Sequence, residues 1–315
     1  MKKPSSKSAK SPPNRAALFL CASLLTSCGL PPHQSNSLDP STSSFRTSDS
    51  KHLSLRHWNH QQKPDTIILA LHGIAGAAQD FNSLGQQLPS RTALYALNIR
   101  GLGYDPDVPN RGDLTDPQLW FRDLAEFHQI MTERFPHART VWLGESMGAI
   151  IAVHTAAKTS AKPDHLILSS PVTSISSIPP FQRESLQLLA RITPRFRLDL
   201  SSLSNGSFQA TTSSNHFEQT NKNPWFIEKY TLRFMNQLGL LAEAMPNQAS
   251  KIHTPTLILF AGQDPLVTQA NILTFAQQFP STPTIHKFEQ SHHLLFYDQQ
   301  KQEVITTISH WLQKK

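Results

Sequence analysis

The chain has 315 residues, 38% of them hydrophobic, with a mean hydropathy of −0.35, which describes a soluble globular protein able to bury a sizeable core. Its formal net charge is +7, but Lys2, Lys3, Lys7, Lys10 and Arg15 supply five positive charges against no acid before residue 28. Beyond that point no basic patch interleaved with aromatic residues appears, so nucleic acid is excluded as a partner.

The basic, Ser/Pro-rich start leads into the apolar run from Ala16 to Leu25. This run is too short to span a bilayer and has the length of a signal h-region. It ends in Leu25-Thr26-Ser27-Cys28-Gly29, which resembles the bacterial lipobox. The resemblance implies a signal peptide over residues 1–27, cleavage after Ser27, and acylation of Cys28. A lipidated Cys28 would anchor the chain in the cell envelope, and the lack of Asp at position 29 resembles outer-membrane sorting. Cys21 and Cys28 are the only cysteines, so the mature domain offers neither thiol catalysis nor a Cys metal site. Residues 28–63, with Pro31-Pro32 and Ser41 to Ser44, read as a flexible tether.

Thr66–Leu71 is a continuous apolar run, as expected of a strand buried on both faces, and it ends in His72-Gly73-Ile74. A helical stretch with Phe81, Leu84 and Leu88 follows, then a strand over Ala93–Leu97 and the Gly-rich turn Asn98–Gly103. Asp116-Pro117 opens a helix whose apolar residues Trp120, Leu124, Phe127 and Met131 recur at helical spacing. Val141-Trp142-Leu143 leads into Gly144-Glu145-Ser146-Met147-Gly148 and an Ala-rich helix, and His165–Ser169 is a further strand. From 172 to 250 the texture changes. Prolines punctuate two helical pieces, 181–192 and 225–242, and in the second Phe226, Tyr230, Phe234 and Leu238 fall four apart. Strand 256–261, helix 268–279, strand 283–288 and a helix ending near Leu312 complete the chain. The alternation predicts an α/β fold with a mostly parallel sheet flanked by helices, its core made of 64–171 and 251–315 and interrupted by a helical cap over 172–250.

The chemistry centres on Ser146. A strand–turn–helix around Gly-x-Ser-x-Gly forces the serine to the tip of a sharp turn with its hydroxyl exposed. Serine needs a base within hydrogen-bond reach, itself oriented by an acid. Asp264 follows the strand ending at Ala261, and His292 and His293 follow the strand ending at Phe288. The order Ser, Asp, His, each after its own strand, is that of the α/β-hydrolase fold. Two adjacent histidines compete for the base. The backbone N–H groups of Met147 and Ile74 are the candidates for an oxyanion hole, with His72 holding the loop. No phosphate loop, HExxH pattern or metal-ligand cluster appears, and no cofactor is required.

With these residues in place, the chain from about 64 to 315 resembles the α/β-hydrolases of the monoacylglycerol lipase and lysophospholipase group. The resemblance rests on His72-Gly73 after a strand, Asn98-x-Arg100-Gly101-x-Gly103, Gly144-Glu145-Ser146-Met147-Gly148, and the Asp264 and His that follow. Ala190–Phe196 resembles that group's cap. Asn98 stands where the group often has Asp, and Ala149 where a third Gly is common. For the base, His292 is supported by a lysophospholipase-like x-Leu-Leu-Phe, His293 by a carboxylesterase-like Glu-Gln-Ser-x-His with Asp298 five residues on. The longer match selects His293. The resemblance implies an ester hydrolase acting on single-chain lipids or small esters, with Ser146, Asp264 and His293 as triad. A short-chain esterase, an acyltransferase, or a non-catalytic lipoprotein keeping the fold are the alternatives; the intact Ser, Asp and His argue against the last.

Overall fold

The computed structural model describes residues 42–59, 63–174, 180–199, 210–213, 216 and 223–314, all within the compact unit Ser35–Lys315. Residues 1–41 lie outside the described residues, and with them the signal peptide and Cys28.

Among the described residues the elements follow in chain order: β1 (Thr42–Arg46), β2 (His52–Trp58), β3 (Thr66–Leu71), α1 (Asn82–Gly85), β4 (Thr92–Leu97), α2 (Gln118–Arg134), β5 (Arg139–Glu145), α3 (Met147–Lys158), β6 (His165–Ser169), α4 (Pro180–Ile192), β7 (Arg197–Asp199), β8 (Lys229–Thr231), α5 (Leu232–Ala249), β9 (Thr256–Ala261), α6 (Gln269–Ala276), β10 (Thr284–Phe288) and α7 (Lys301–Gln313). Eight strands form one sheet in the order β1-β2-β4-β3-β5-β6-β9-β10. From β4 to β10 every neighbouring pair is parallel; β2 runs antiparallel to β4, and β1 to β2.

The central strands are apolar throughout because both faces are covered, and alternate residues serve different faces. Ile67, Leu69 and Leu71 of β3 join Trp120, Phe121 and Ile150 from α2 and α3 in one core. Ile68 and Ala70 join Phe81 together with Val304, Ile308 and Trp311 from α7 in the other. The α/β-hydrolase arrangement expected from the sequence is therefore present.

Two expectations need correction. The stretch 28–63, read as a tether, contributes β1 and β2 to the sheet. Its hairpin is seated by buried Phe45, Leu53 and Leu55, and Phe45 stacks on Phe127 of α2 with ring centroids 5.2 Å apart. The second helical piece starts at Leu232, not 225. Tyr230 belongs to β8, paired with Leu198 of β7, and Thr231 caps α5 by accepting a hydrogen bond from the Phe234 N–H. Capping and strand pairing override the four-residue apolar spacing there.

Elements α4, β7, β8 and α5 lie between two strands, β6 and β9, that are themselves direct neighbours in the sheet. Strands β7 and β8 form a separate two-stranded sheet. The Arg233 guanidinium pairs with Asp113, and Arg197 donates to the carbonyl of Arg111 at 2.7 Å, so this insertion is fastened to the loop after β4.

Candidate active site

The turn between β5 and α3 carries Ser146 at φ +52°, ψ −111°. A non-glycine residue in this region is strained and is held there by its surroundings. The Ser146 N–H donates to the Ser169 carbonyl at 2.8 Å, while α3 starts directly after it. The flanking glycines make the turn possible by close approach. A Cβ on Gly148 would lie 2.1 Å from the Leu71 carbonyl oxygen, and one on Gly144 would lie 2.5 Å from the Ala149 nitrogen.

Ser146, Asp264 and His293, predicted from three separate strand ends, converge. The His293 Nε2 lies 2.8 Å from the Ser146 Oγ, and His293 Nδ1 lies 2.7 Å from the Asp264 Oδ2. With a carboxylate facing Nδ1, the ring proton sits there, leaving Nε2 to accept from the serine hydroxyl. Asp264 is held in turn by the N–H groups of Leu266 and Val267, which donate to its Oδ1 at 2.8 and 3.1 Å. His293 is fixed through its backbone as well, since the Ser170 hydroxyl donates to its carbonyl at 2.8 Å. Ser170 was missed in the sequence; its position one residue after β6 was the available signal.

His292 points elsewhere. Its Nδ1 lies 2.9 Å from Asp298 Oδ2, and its N–H donates to the same oxygen at 2.5 Å. Asp298 also accepts from the Thr212 hydroxyl at 2.5 Å, tying the loop that carries His293 to residues 210–213. A second tie joins Leu294 N–H to the Ala210 carbonyl at 2.9 Å.

The loop after β3 lies against the serine. A Cβ added to Gly73 would stand 3.5 Å from the Ser146 Cβ. Among the described residues the N–H groups of Ile74 and Met147 make no hydrogen bond. His72, wholly buried, has its ring ionisation held down to about 4 by that burial. The neutral ring accepts from the Ile99 N–H at 3.1 Å and donates from Nδ1 to the Gly73 carbonyl at 2.7 Å, so His72 secures this loop. Asn98 anchors it too. Its Oδ1 accepts from Ala78 N–H at 2.9 Å while its Nδ2 donates to the Ser54 hydroxyl at 3.0 Å, the second a bond that an ionised Asp lacks the proton to make.

Two buried acids lie beneath the loop. Asp80 accepts from the Tyr297 hydroxyl at 2.6 Å and from Ala77 N–H at 3.0 Å, and burial pushes its ionisation up to about 6. Glu145, beside Ser146 in the chain, is wholly buried and has no hydrogen-bond partner among the described residues, and burial raises its ionisation well above the usual carboxylate range. Among the described residues no group of three or more His, Cys, Asp or Glu side chains is arranged to hold a metal ion.

The family model for the serine aminopeptidases, S33 (Hydrolase_4), matches residues 62–300. The chain belongs to that family. It is a serine hydrolase of the α/β-hydrolase fold, similar to proteins of the monoacylglycerol lipase and lysophospholipase group. The monoglyceride lipase of Rattus norvegicus is 23% identical over 254 residues, covering 78% of this chain and 81% of that protein. A probable lysophospholipase L2 of Haemophilus influenzae is 25% identical over 228 residues, covering 68% and 72%. Among solved structures, a soluble variant of monoglyceride lipase from Saccharomyces cerevisiae, in complex with a substrate analog, aligns with a TM-score of 0.74. It is 18% identical and covers 90% of this chain and 97% of that one, a likeness of fold.

Proposed function

We propose that this chain hydrolyses carboxylic esters of single-chain lipids, monoacylglycerol or lysophospholipid, through an acyl-enzyme on Ser146. The observation that carries the reading is the unbroken line of hydrogen bonds from Ser146 Oγ through His293 to Asp264. In this mechanism His293 Nε2 takes the hydroxyl proton as Oγ adds to the ester carbonyl, and Asp264 stabilises the imidazolium that forms. The N–H groups of Ile74 and Met147 receive the negative oxygen. The imidazolium then protonates the departing alcohol, and water, deprotonated by the same ring, releases the fatty acid and frees Ser146. The insertion between β6 and β9 is assigned the part of a cap, a reading supported by the contact of Tyr230 with the Ile74 carbonyl.

The named relatives support an ester-cleaving role. The family also takes its name from an aminopeptidase, which must bind a free ammonium group. Asp80 and Glu145 are buried, and Asp264 is engaged by His293, so none of these three acids is presented to a substrate amine.

A lipid substrate is also supported by α4 and the turn that follows it. Phe181, Leu188, Ile192 and Phe196 are 78%, 57%, 66% and 59% exposed, an apolar stripe turned to solvent beside exposed Arg191 and Arg195. A surface of this kind suits lipid. It agrees with a chain held at a bacterial outer membrane through lipidated Cys28.

The test uses the full-length protein in detergent micelles, offered monooleoylglycerol, lysophosphatidylcholine, p-nitrophenyl butyrate and an aminoacyl p-nitroanilide. Hydrolysis of the lipid esters, lost in Ser146→Ala, is expected. Cleavage of the anilide alone would overturn the ester reading, and folded wild-type protein inert on all four would overturn hydrolysis.

A further inference from the structure

Ile74 stands between two peptide planes, and each is fixed by a different part of the molecule. The first plane, Gly73–Ile74, has its carbonyl held by the core. Gly73 O accepts from His72 Nδ1 at 2.7 Å and from the Gly76 N–H at 3.1 Å. Because a trans peptide sets N–H opposite C=O, these bonds aim the Ile74 N–H away from them. The second plane begins at the Ile74 carbonyl. That oxygen accepts from the Tyr230 hydroxyl at 3.0 Å, a donor supplied by the insertion.

Tyr230 is built for this contact. It is wholly buried in β8, its ring lies 5.2 Å from that of Phe234, and Phe234 in turn meets Trp120 of α2 edge-on at 5.5 Å. Burial pushes its ionisation far above the usual tyrosine range, so the hydroxyl stays a donor at any working pH. The next residue, Thr231, is locked by its N–H to the Gly112 carbonyl at 2.9 Å and by its hydroxyl to Asp113 at 2.7 Å. The tyrosine hydroxyl therefore has one place to go.

We propose that Tyr230 is a positioning residue for the oxyanion hole, coupling the inserted segment to catalysis by fixing the peptide plane that follows the Ile74 N–H. The inference rests on the proposed role of that N–H in ester hydrolysis. It assigns the insertion a part in the chemical step, besides any part in binding substrate. A seated insertion holds Ile74 in its working geometry, and a displaced one releases it.

The experiment compares Tyr230→Phe and Arg233→Gln with wild type and Ser146→Ala, on a soluble p-nitrophenyl ester. Tyr230→Phe removes one hydroxyl and keeps the ring. Arg233→Gln removes one fastening of the same segment, its ion pair with Asp113, while the Thr231 bonds to Gly112 and Asp113 keep Tyr230 seated on Ile74. A direct oxyanion donor is worth about 10²–10³ in kcat, so loss of a group that positions one is expected to cost about tenfold in kcat. KM should stay within about twofold, and affinity for an alkyl boronate should fall in parallel with kcat. Arg233→Gln should lower Tm and leave kcat within about threefold. If Tyr230→Phe keeps wild-type kcat, or if Arg233→Gln loses as much kcat at an equal loss of Tm, the inference is overturned. Inactive wild-type protein, by contrast, would remove the parent reading. Activity that vanishes in Ser146→Ala but survives intact in Tyr230→Phe removes this one alone.

Discussion

His292 and His293 are consecutive in the chain, yet their rings bind different carboxylates: His293 Nδ1 meets Asp264 at 2.7 Å, and His292 Nδ1 meets Asp298 at 2.9 Å. The first pairing presents Nε2 to Ser146; the second belongs to a tie with Thr212. Two imidazole–carboxylate pairs thus sit side by side, and one of them reaches the serine.

The pair makes opposite predictions for two neighbouring substitutions. His293→Ala should lower kcat by about 10⁴, since the serine loses its base while the fold persists. His292→Ala should keep kcat within about tenfold and lower Tm, because a buried Asp298 loses a partner. The rate of labelling by a fluorophosphonate reads both. Equal loss in the two variants would contradict the assignment.

Asp80 predicts a pH dependence of stability. Its folded ionisation is raised from 3.8 to about 6 by burial, so between those values the folded state binds more protons than the unfolded one. Stability from this group is therefore present at low pH and lost as pH rises from about 4 to 6, by about 3 kcal/mol in all. Asp80→Asn removes that loss; its Oδ1 can accept from the Ala77 N–H while its Nδ2 donates to the Tyr297 hydroxyl oxygen. The variant should gain stability over wild type progressively from pH 4 to pH 6 and hold the gain at pH 8. His72 and His154, both depressed to about 4 by burial, titrate with the opposite sign and cancel in the difference. A difference in unfolding free energy that is flat across this range, measured in urea, would refute the claim.

The exposed stripe on α4 and the turn that follows it predicts a split between dispersed and aggregated substrates. Ile192→Ser with Phe196→Ser removes two exposed apolar side chains, each worth about 1.5–3 kcal/mol if buried in lipid. Hydrolysis of monooleoylglycerol presented in anionic vesicles should fall at least about tenfold, and the soluble p-nitrophenyl ester should be cleaved at the wild-type rate. A parallel fall on both substrates would point to damage within the site.

Legibility in the sequence followed the range of the forces involved. Strands β3, β5, β6 and β9 announced themselves because burial on both faces demands unbroken apolar runs. Ser146 and Asp264 were visible because each follows such a run, and the histidine pair because it follows the next strand after Asp264, the mixed β10. Strands β1 and β2 were hidden by their Ser, Thr and His content. Leu53 and Leu55 alternate as a half-buried strand should, but pairing with β4 supplies the rest of the reason for the strand. Tyr230 was read into a helical stripe since Phe226, Phe234 and Leu238 share its spacing; its pairing with Leu198 is non-local. The choice of His293 over His292 came from the longer local match, Glu289-Gln290-Ser291-His292-His293 with Asp298; the tie of Asp298 to Thr212, 86 residues upstream, was invisible to local pattern.

The position of the insertion between β6 and β9 has an evolutionary consequence. These two strands are parallel neighbours, so the connection must return along the sheet, which α5 does, and the segment before α5 leaves the end of β6 and finishes at Tyr230 beside the loop after β3, both at the carboxyl ends of the strands. The entropy of closing such a loop grows only logarithmically, by about 0.6 kcal/mol per doubling. Segments of different size and composition can therefore be exchanged at this junction without renegotiating the sheet. Selection can retailor what the enzyme admits while leaving its catalytic floor untouched, provided each replacement keeps a donor for the Ile74 carbonyl.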